Sequence, residues 1–159
     1  MKDINTLPNW YNIYIYKLYE DITNKYLQIF KNIKNIYYLT LEHCDNISDV
    51  SALSNCYNLT LEECEKILNI SALNNCKKLT LNELNISDVS ALGNCKNLTL
   101  NLCKNISDVS ALGNCNNLTL INFDNILDVS ALSNCKNLTL ICCNNILNVI
   151  SLSNCKILS

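Results

Sequence analysis

Apolar positions recur along the chain in units of about twenty residues. Within one unit they follow the pattern C-x-x-L-x-L-x-x-C-x-x-I-x-x-I, from Cys56 to Ile70. The alternating part is typical of a β-strand with one buried face, and the wider spacing is not. The pattern therefore predicts a strand of about three residues followed by a tight return. The units are marked by the triplet LTL, which begins at Leu39, Leu59, Leu79, Leu98, Leu118 and Leu138.

The return segment of the first regular unit reads SDVSALSN, from Ser48 to Asn55. We expect Ser48 or Asp49 to cap one helical or 3₁₀ turn, with Ala52 and Leu53 directed inward. An asparagine ends the segment in every unit, where a left-handed residue is expected to terminate the turn. These asparagines are Asn55, Asn75, Asn94, Asn114, Asn134 and Asn154.

The same frame extends upstream when Ile22 is aligned with Ile47. This alignment predicts a longer first unit, whose return has room for a helix through Leu27, Ile29 and Phe30. The chain then divides into a divergent N-terminal cap (1–38), six units of about twenty residues (39–157) and the start of a truncated unit (158–159). Leu158 is aligned with Leu138, and the inward positions of the cap are assigned to Tyr14, Tyr16 and Tyr19.

One such unit buries too little apolar surface to fold alone, so neighbouring units must stack. The pattern L-x-L-x-x-C-x-x-I with a short return resembles the cysteine-containing leucine-rich repeat, and NISDVSAL is similar to the return of bacterial internalin-type repeats. The segment DITNKYLQIFKNIKNIYYLTLEHC resembles the longer repeat of F-box leucine-rich-repeat proteins, including those of giant DNA viruses. The resemblance implies a single α/β repeat solenoid over residues 1–159. It would be right-handed, with short parallel strands on the concave face and short helical or 3₁₀ turns on the convex face.

Ten of the eleven cysteines fall in two columns of this repeat. We expect free, buried thiols, because side chains that point in parallel into a core have poor geometry for a disulfide. In the second column a thiol can still bond weakly to a loop backbone, and Leu84 and Phe123 replace it twice. The first column is Cys56, Cys76, Cys95, Cys115, Cys135 and Cys155, and the second is Cys44, Cys64, Cys103 and Cys143.

The sequence contains no pattern that predicts a metal site, a cofactor or an enzyme. There is no C-x-x-C pair, the single histidine is His43, and its neighbour Cys44 is expected to point inward. With 12 basic and 14 acidic residues, the chain lacks the positive charge that binds nucleic acid. It also lacks an apolar run long enough to span a membrane and a signal-peptide pattern, so we expect a reducing, cytoplasmic location.

The outward strand positions should line the concave face, which is therefore the candidate site. Its middle column is threonine, and the next positions run from acidic to apolar. In one interpretation, a partner's basic end meets the glutamates and its apolar end covers the isoleucines. In the other, the glutamates are simply solvated and the isoleucines lie near an end that further repeats cover. The candidate partner-binding residues are Thr40, Glu42, His43, Thr60, Glu62, Glu63, Thr80, Glu83, Asn101, Ile121 and Ile141.

Three functional hypotheses follow. The first is a non-enzymatic module that binds a protein partner weakly, since a sheet of this size offers on the order of 300 Å², against about 800 Å² per partner in a standard interface. The second, implied by the F-box resemblance, is a substrate receptor of a ubiquitin ligase whose F-box is absent or supplied by another chain. The third is a shortened repeat array with a structural role or no selected partner. Self-association through an uncapped C-terminal end is a further expectation.

Overall fold

Eight parallel strands form one sheet in which spatial order follows chain order. The computed structural model describes residues 12–14, 17–19, 22–33, 35–146, 149, 152 and 156–158. This arrangement is the predicted repeat solenoid, and its outward side is called the concave face below. The strands are β1 (Asn12–Tyr14), β2 (Asn35–Glu42), β3 (Cys56–Glu62), β4 (Lys78–Asn82), β5 (Asn97–Asn101), β6 (Asn117–Ile121), β7 (Asn137–Ile141) and β8 (Lys156–Leu158).

Equivalent residues of the units lie side by side in the sheet. Thr40 pairs with Thr60, for example, between Leu39–Leu59 and Leu41–Leu61 pairs. Strands β2 to β7 are longer than the three residues predicted: β2 has 8 residues, β3 has 7, and β4 to β7 have 5 each. The reason is that pairing continues into the polar residues on either side of each LTL triplet, such as Asn58 and Glu62.

The inward side chains form one continuous apolar core between the sheet and the returns. The leucines of the LTL triplets are buried in β2 to β6, and no buried polar or charged residue occurs in the described part of the chain. Phe123 is the largest fully buried side chain. Its place in the second cysteine column confirms that this column accepts apolar bulk.

Each of the five regular returns that the structure describes in full contains a 3₁₀ turn that starts at a serine. The Oδ1 atom of Asp49 accepts a hydrogen bond of 2.8 Å from the N–H of Ser51, so Asp49 rather than Ser48 holds the start of the turn. Ala52 and Leu53 are buried, as predicted. The turns are Ser51–Leu53, Ser71–Leu73, Ser90–Leu92, Ser110–Asn114 and Ser130–Asn134, and the matching acceptors are Asp49, Asn69, Asp88, Asp108 and Asp128.

The prediction of left-handed asparagines at the end of each return is wrong for the five that the structure describes; Asn154 lies outside the described residues. The left-handed residues instead directly follow each of the strands β2 to β7. At these positions the chain leaves the sheet, but the N–H group of the left-handed residue still donates to the next strand. The N–H group of Glu63, for example, donates to the Asn82 carbonyl at 3.0 Å. These residues are His43, Glu63, Glu83, Leu102, Asn122 and Cys142, with φ between 50° and 58°.

The predicted N-terminal helix is present as helix α1 (Asn24–Leu27) and a 3₁₀ helix (Gln28–Asn32). Leu27 and Phe30 are buried beneath it. Asn24 fixes this unit to the next one, because its Oδ1 atom accepts hydrogen bonds from the N–H groups of Ser48 and Asp49 at 3.0 and 3.1 Å.

The alignment of the N-terminal unit was wrong in detail. A register shift between Ile13 and Tyr14 places Tyr14 beside Tyr38, and Leu18 forms the bridge to Leu41. Tyr19 is 56% exposed, so it does not occupy an inward position; Tyr16 lies outside the described residues.

The alignment at the other end of the sheet differs by one residue. Strand β8 places Ile157 opposite Leu138 and Leu158 opposite Thr139. The step from β7 to β8 is therefore nineteen residues, like the step from Leu79 to Leu98.

Three consecutive returns approach one another closely at the only two glycines of the chain. A Cβ atom added to Gly93 would lie 2.4 Å from the Ala111 carbonyl oxygen, and one added to Gly113 would lie 2.2 Å from that of Ala131. Neither glycine has a positive φ. Glycine is therefore required here by the close approach of the backbone and not by its own conformation.

Candidate functional site

The concave face carries three columns of side chains. Thr40, Thr60 and Thr80 begin the central column, which is half-buried and in register through β7. On one side lies a column that changes from acidic through amide to apolar, and on the other side a column of mixed polar residues. The first is Glu42, Glu62, Asn82, Asn101, Ile121 and Ile141, and the second is Tyr38, Asn58, Lys78, Asn97, Asn117 and Asn137.

The left-handed residues form a fourth column along the edge where the strands end. Of the predicted site residues, His43, Glu63 and Glu83 belong to this edge column. Leu102, Asn122 and Cys142 continue it. The structure therefore brings all the predicted residues to one surface, which consists of the sheet face and this edge.

The acidic end of the surface is partly neutralised by the chain itself. Lys17 forms an ion pair with Glu42, whose side chain is only 19% exposed. His43 lies between two carboxylates, with Nδ1 3.4 Å from Glu63 Oε2 and Nε2 3.9 Å from Glu42 Oε1. Lys17 was not recognised in the sequence because it belongs to the divergent first unit. Glu62, Glu63 and Glu83 consequently provide most of the acidic character toward the middle of the surface.

A ladder of amide side chains joins the acidic part to the apolar part. The Nδ2 group of Asn82 donates to Glu62 Oε1 at 2.9 Å, and that of Asn101 donates to Asn82 Oδ1 at 2.7 Å. Asn122 then donates to Asn101 Oδ1 at 3.0 Å. Because each amide is held by its neighbour, the ladder is an ordered part of the face that ends on a carboxylate.

A cleft of about 500 Å³ lies beside the apolar end of the face. Its wall includes the edge residues of three consecutive units, and Ile141, which is 40% exposed, belongs to the adjacent column. The sequence indicated the apolar end through Ile121 and Ile141, but it gave no signal for the cleft, because the other walls come from loops. The lining residues are Leu102, Lys104, Asn122, Asp124, Asn125, Cys142 and Asn144.

A smaller hollow of about 100 Å³ lies on the acidic half of the concave face. Tyr38, Asn58 and Lys78 line it together with threonines of the central column. Tyr38 is 51% exposed. This column was not among the predicted site residues, although the position two before each threonine faces the same side of a strand and was therefore available as a signal.

The two cysteine columns are structural. The described members of the first column are buried, and Cys64 shows the bonding of the second: its thiol donates to the carbonyls of Leu41 and Glu62 at 3.6 and 3.3 Å. The predicted weak thiol bonds to backbone are present, but their acceptors are carbonyls of strand residues and not of a loop. Burial raises the pKa of Cys44, Cys76 and Cys115 to about 12, so these thiols stay protonated and unreactive near neutral pH. Cys142, by contrast, is exposed.

Within the described ranges, no group of three or more histidine, cysteine or acidic side chains is placed to hold a metal ion. The helices described here are also too short to cross a membrane.

Comparison with known proteins identifies the fold. No protein-family model matches the chain, and no curated protein matches it in sequence. Among solved structures, internalin inlF from Listeria monocytogenes is 33% identical with a TM-score of 0.56, over 80% of this chain and 42% of that one. Internalin C2 from the same organism is 19% identical with a TM-score of 0.58, over 93% of this chain and 77% of that one. The chain thus spans less than half the length of inlF.

The protein is a leucine-rich-repeat solenoid with internalin-type structural neighbours. The expected likeness to internalin-type repeats is confirmed at the level of structure. The likeness to viral and F-box proteins has no support in these comparisons and stays a prediction.

Proposed function

We propose that the protein is a non-enzymatic interaction module that binds a protein partner through the concave face and its edge column. The observation that supports this proposal is the change along the concave face from acidic through amide to apolar side chains. Glu62, Glu63 and Glu83 lie at one end, an ordered amide ladder follows, and Ile141 lies beside an open cleft at the other end. Such a surface offers both charge complementarity and apolar contact to one partner.

The proposed contact is weak or transient. Strands β2 to β7 present a sheet about 25 to 30 Å long at a spacing of about 4.8 Å, which is small beside a standard interface. The amide side chains of the ladder are already hydrogen-bonded to each other. They therefore offer a partner a complementary surface more than new hydrogen bonds. The edge column and the cleft therefore supply the additional area.

We also propose a reducing compartment as the site of action. Nine thiols in the described chain are buried or half-buried, and several donate to backbone carbonyls as Cys64 does. The ubiquitin-ligase role and the structural array stay alternatives, since no observation of the described residues favours either of them.

Two matched variants test the role of the concave face. In the first, Glu62, Glu63 and Glu83 become glutamine, which removes three charges from the site. In the second, Asp88, Asp108 and Asp128 become asparagine, which removes three charges from the returns while keeping the acceptor that Asn69 already provides there. Both variants change the net charge equally, so a general electrostatic effect would be the same for both.

The measurement is quantitative affinity capture from cells of the native host, with the wild-type protein as reference. The proposal expects a saturable partner whose recovery falls about tenfold or more with the glutamine variant and stays unchanged with the asparagine variant. Equal recovery with both variants, or no saturable partner, would contradict it.

A further inference from the structure

We propose that the cleft beside β5, β6 and β7 is the anchor pocket of the concave site, and that it receives a tryptophan or tyrosine side chain of the partner, flanked by basic residues. This inference rests on the proposed function and makes it more specific. It assigns a role to Leu102, Asn122 and Cys142.

The size and walls of the cleft suit one large side chain. Its volume of about 500 Å³ lies within the range of about 300 to 1,000 Å³ that ligand pockets have. Leu102 and Cys142 provide apolar and sulfur contacts from two edge positions, and Ile141 extends this apolar surface onto the sheet. Aromatic side chains contribute most of the binding energy at protein interfaces, and sulfur packs favourably against their rings.

The polar atoms of the cleft favour an aromatic group that also has a hydrogen-bond donor. Asn122 uses its Nδ2 group to donate to Asn101, and its Oδ1 atom accepts no bond from the described residues. Asp124 adds a carboxylate to the wall and forms no ion pair with any residue that the structure describes. An indole N–H or a phenol O–H can therefore be satisfied at the polar side while the ring covers Leu102.

The edge column specifies what lies next to the anchor. Glu83 precedes Leu102 by one strand, since its N–H donates to the Asn101 carbonyl at 2.9 Å. Glu63 precedes Glu83 in the same way. With strands about 4.8 Å apart, the two carboxylates begin about 10 and 14 Å from Asn122, at the middle of the cleft.

These distances correspond to three and four residues of an extended chain, which advances about 3.3 Å per residue. The partner segment thus has an aromatic residue and two basic residues at the third and fourth positions from it, and it runs along the edge column from the cleft toward β3. Because side chains alternate along an extended chain, the fourth residue faces the protein on the same side as the anchor, and the third must reach its carboxylate with a long side chain such as that of lysine. Charge complementarity between those basic residues and Glu63 and Glu83 sets this arrangement apart from a purely apolar ligand.

Cys142 provides a direct reporter of occupancy. It lines the cleft and is exposed, so a maleimide should alkylate it rapidly. Fragment-ion mass spectrometry of the tryptic peptide 137–156 then distinguishes its modification from that of Cys143 and Cys155. The probes are acetylated, amidated peptides with tryptophan, tyrosine, phenylalanine or alanine at the anchor. Each peptide has two lysines or two serines at the third and fourth positions from the anchor. One set of peptides places them N-terminal to the anchor, and a second set places them C-terminal to it.

We expect the tryptophan–lysine peptide, in one of its two orientations, to slow alkylation of Cys142 at saturation by about tenfold, with tyrosine next, phenylalanine weaker and alanine without effect. Serine in place of lysine should weaken binding. The proposal is overturned if no peptide protects Cys142, or if the alanine peptides protect it as well as the tryptophan peptides.

A pair of variants separates the pocket from general effects on the protein. Leu102→Asn introduces the residue that the chain itself has at the equivalent left-handed position 122, so the backbone is not strained. Leu68→Asn makes the same chemical change at a leucine that is 63% exposed on a return. We expect Leu102→Asn to weaken the peptide about tenfold and Leu68→Asn to have no effect. Equal affinities in both variants would also overturn the pocket.

The same variants distinguish failure of the pocket from failure of the proposed function. A partner that is lost with the glutamine variant at Glu62, Glu63 and Glu83 but retained by Leu102→Asn would leave the concave module intact and refute the anchor pocket. A partner that no concave variant weakens would refute both.

Discussion

Replacing Gly113 with alanine tests the close approach of neighbouring returns. At a residue whose φ is negative, an alanine ordinarily stabilises a protein by about 0.4 to 1 kcal/mol, because it restricts the unfolded chain. Here the added Cβ atom would lie 2.2 Å from the carbonyl oxygen of Ala131. That oxygen is a backbone atom and cannot rotate away, so two whole returns must separate.

The magnitude follows from these two opposing effects. Overpacking of this kind costs about 2 kcal/mol at the middle of its usual range, and subtracting the entropic gain leaves a destabilisation of about 1 kcal/mol. For a chain of 159 residues this corresponds to a Tm lower by about 2 to 4 °C. The sign of the effect is therefore opposite to that expected at an unconstrained glycine.

The assay is thermal and urea unfolding followed by circular dichroism. Ser54→Ala is the matched control, because serine there already carries a Cβ atom at the equivalent position of the first regular return; its Tm should change by less than about 2 °C. A Gly113→Ala variant as stable as the wild-type protein, or more stable, would refute the close packing of the two returns.

Three further predictions concern acid, thiols and the amide ladder. Hydrogen bonds from the serine N–H groups lower the pKa of Asp88, Asp108 and Asp128 in the folded protein. The stability that these aspartates contribute is therefore present above the unfolded pKa of about 3.9, and it is lost as the pH falls through the lower folded pKa. The Tm should thus fall in acid, and fall less in the triple asparagine variant. In native protein at pH 8, a thiol reagent should react rapidly with Cys142, and Cys142→Ser should remove one rapid equivalent. Asn101→Ala breaks two ladder bonds and should lower the free energy of unfolding by about 1 kcal/mol in urea titrations.

Each of these expectations has an outcome that contradicts it. An equal acid-induced loss of Tm in the wild-type and triple-asparagine proteins would show that the aspartate bonds are not its source. Buried thiols such as Cys44 that react as fast in the native as in the unfolded protein would contradict the burial of the cysteine columns. For the ladder, Asn74→Ala is the control, since Asn74 is exposed on a return, and an equal effect of both substitutions would contradict the ladder.

The regular units could be predicted because the same pattern of apolar and polar residues recurs in each of them. Leu59 and Leu61 alternate with Thr60 in a pattern that only a strand with one buried face explains, and identical triplets fix the register with the next unit. The concave face followed directly, since it consists of the remaining strand positions. Equivalent residues such as Glu42 and Ile141 therefore lie in the column that the sequence assigned to them.

The features that escaped prediction depend on residues that differ from unit to unit. The left-handed position is occupied by residues as unlike as Glu63, Leu102 and Cys142, and by an asparagine only at Asn122, so no recurrent glycine or asparagine marked it; the position is instead defined by the backbone bond to the next strand. The ion pair of Lys17 with Glu42 arises in a unit with a shifted register. The cleft needs the loops of three units, and no single unit encodes it.

The one-to-one register of the strands makes the number of units a measure of length. Every unit between Glu63 and Asn122 adds about 4.8 Å to the separation of the acidic edge from the cleft, whatever its sequence. Units such as those that contain β5 and β6 are so alike that insertion or deletion of one whole unit there would preserve the core and the ladders. It would, however, shift the carboxylates relative to the cleft by more than one residue of a bound extended chain. Such a protein can acquire a different partner by a change in repeat count alone, with no substitution at any contact.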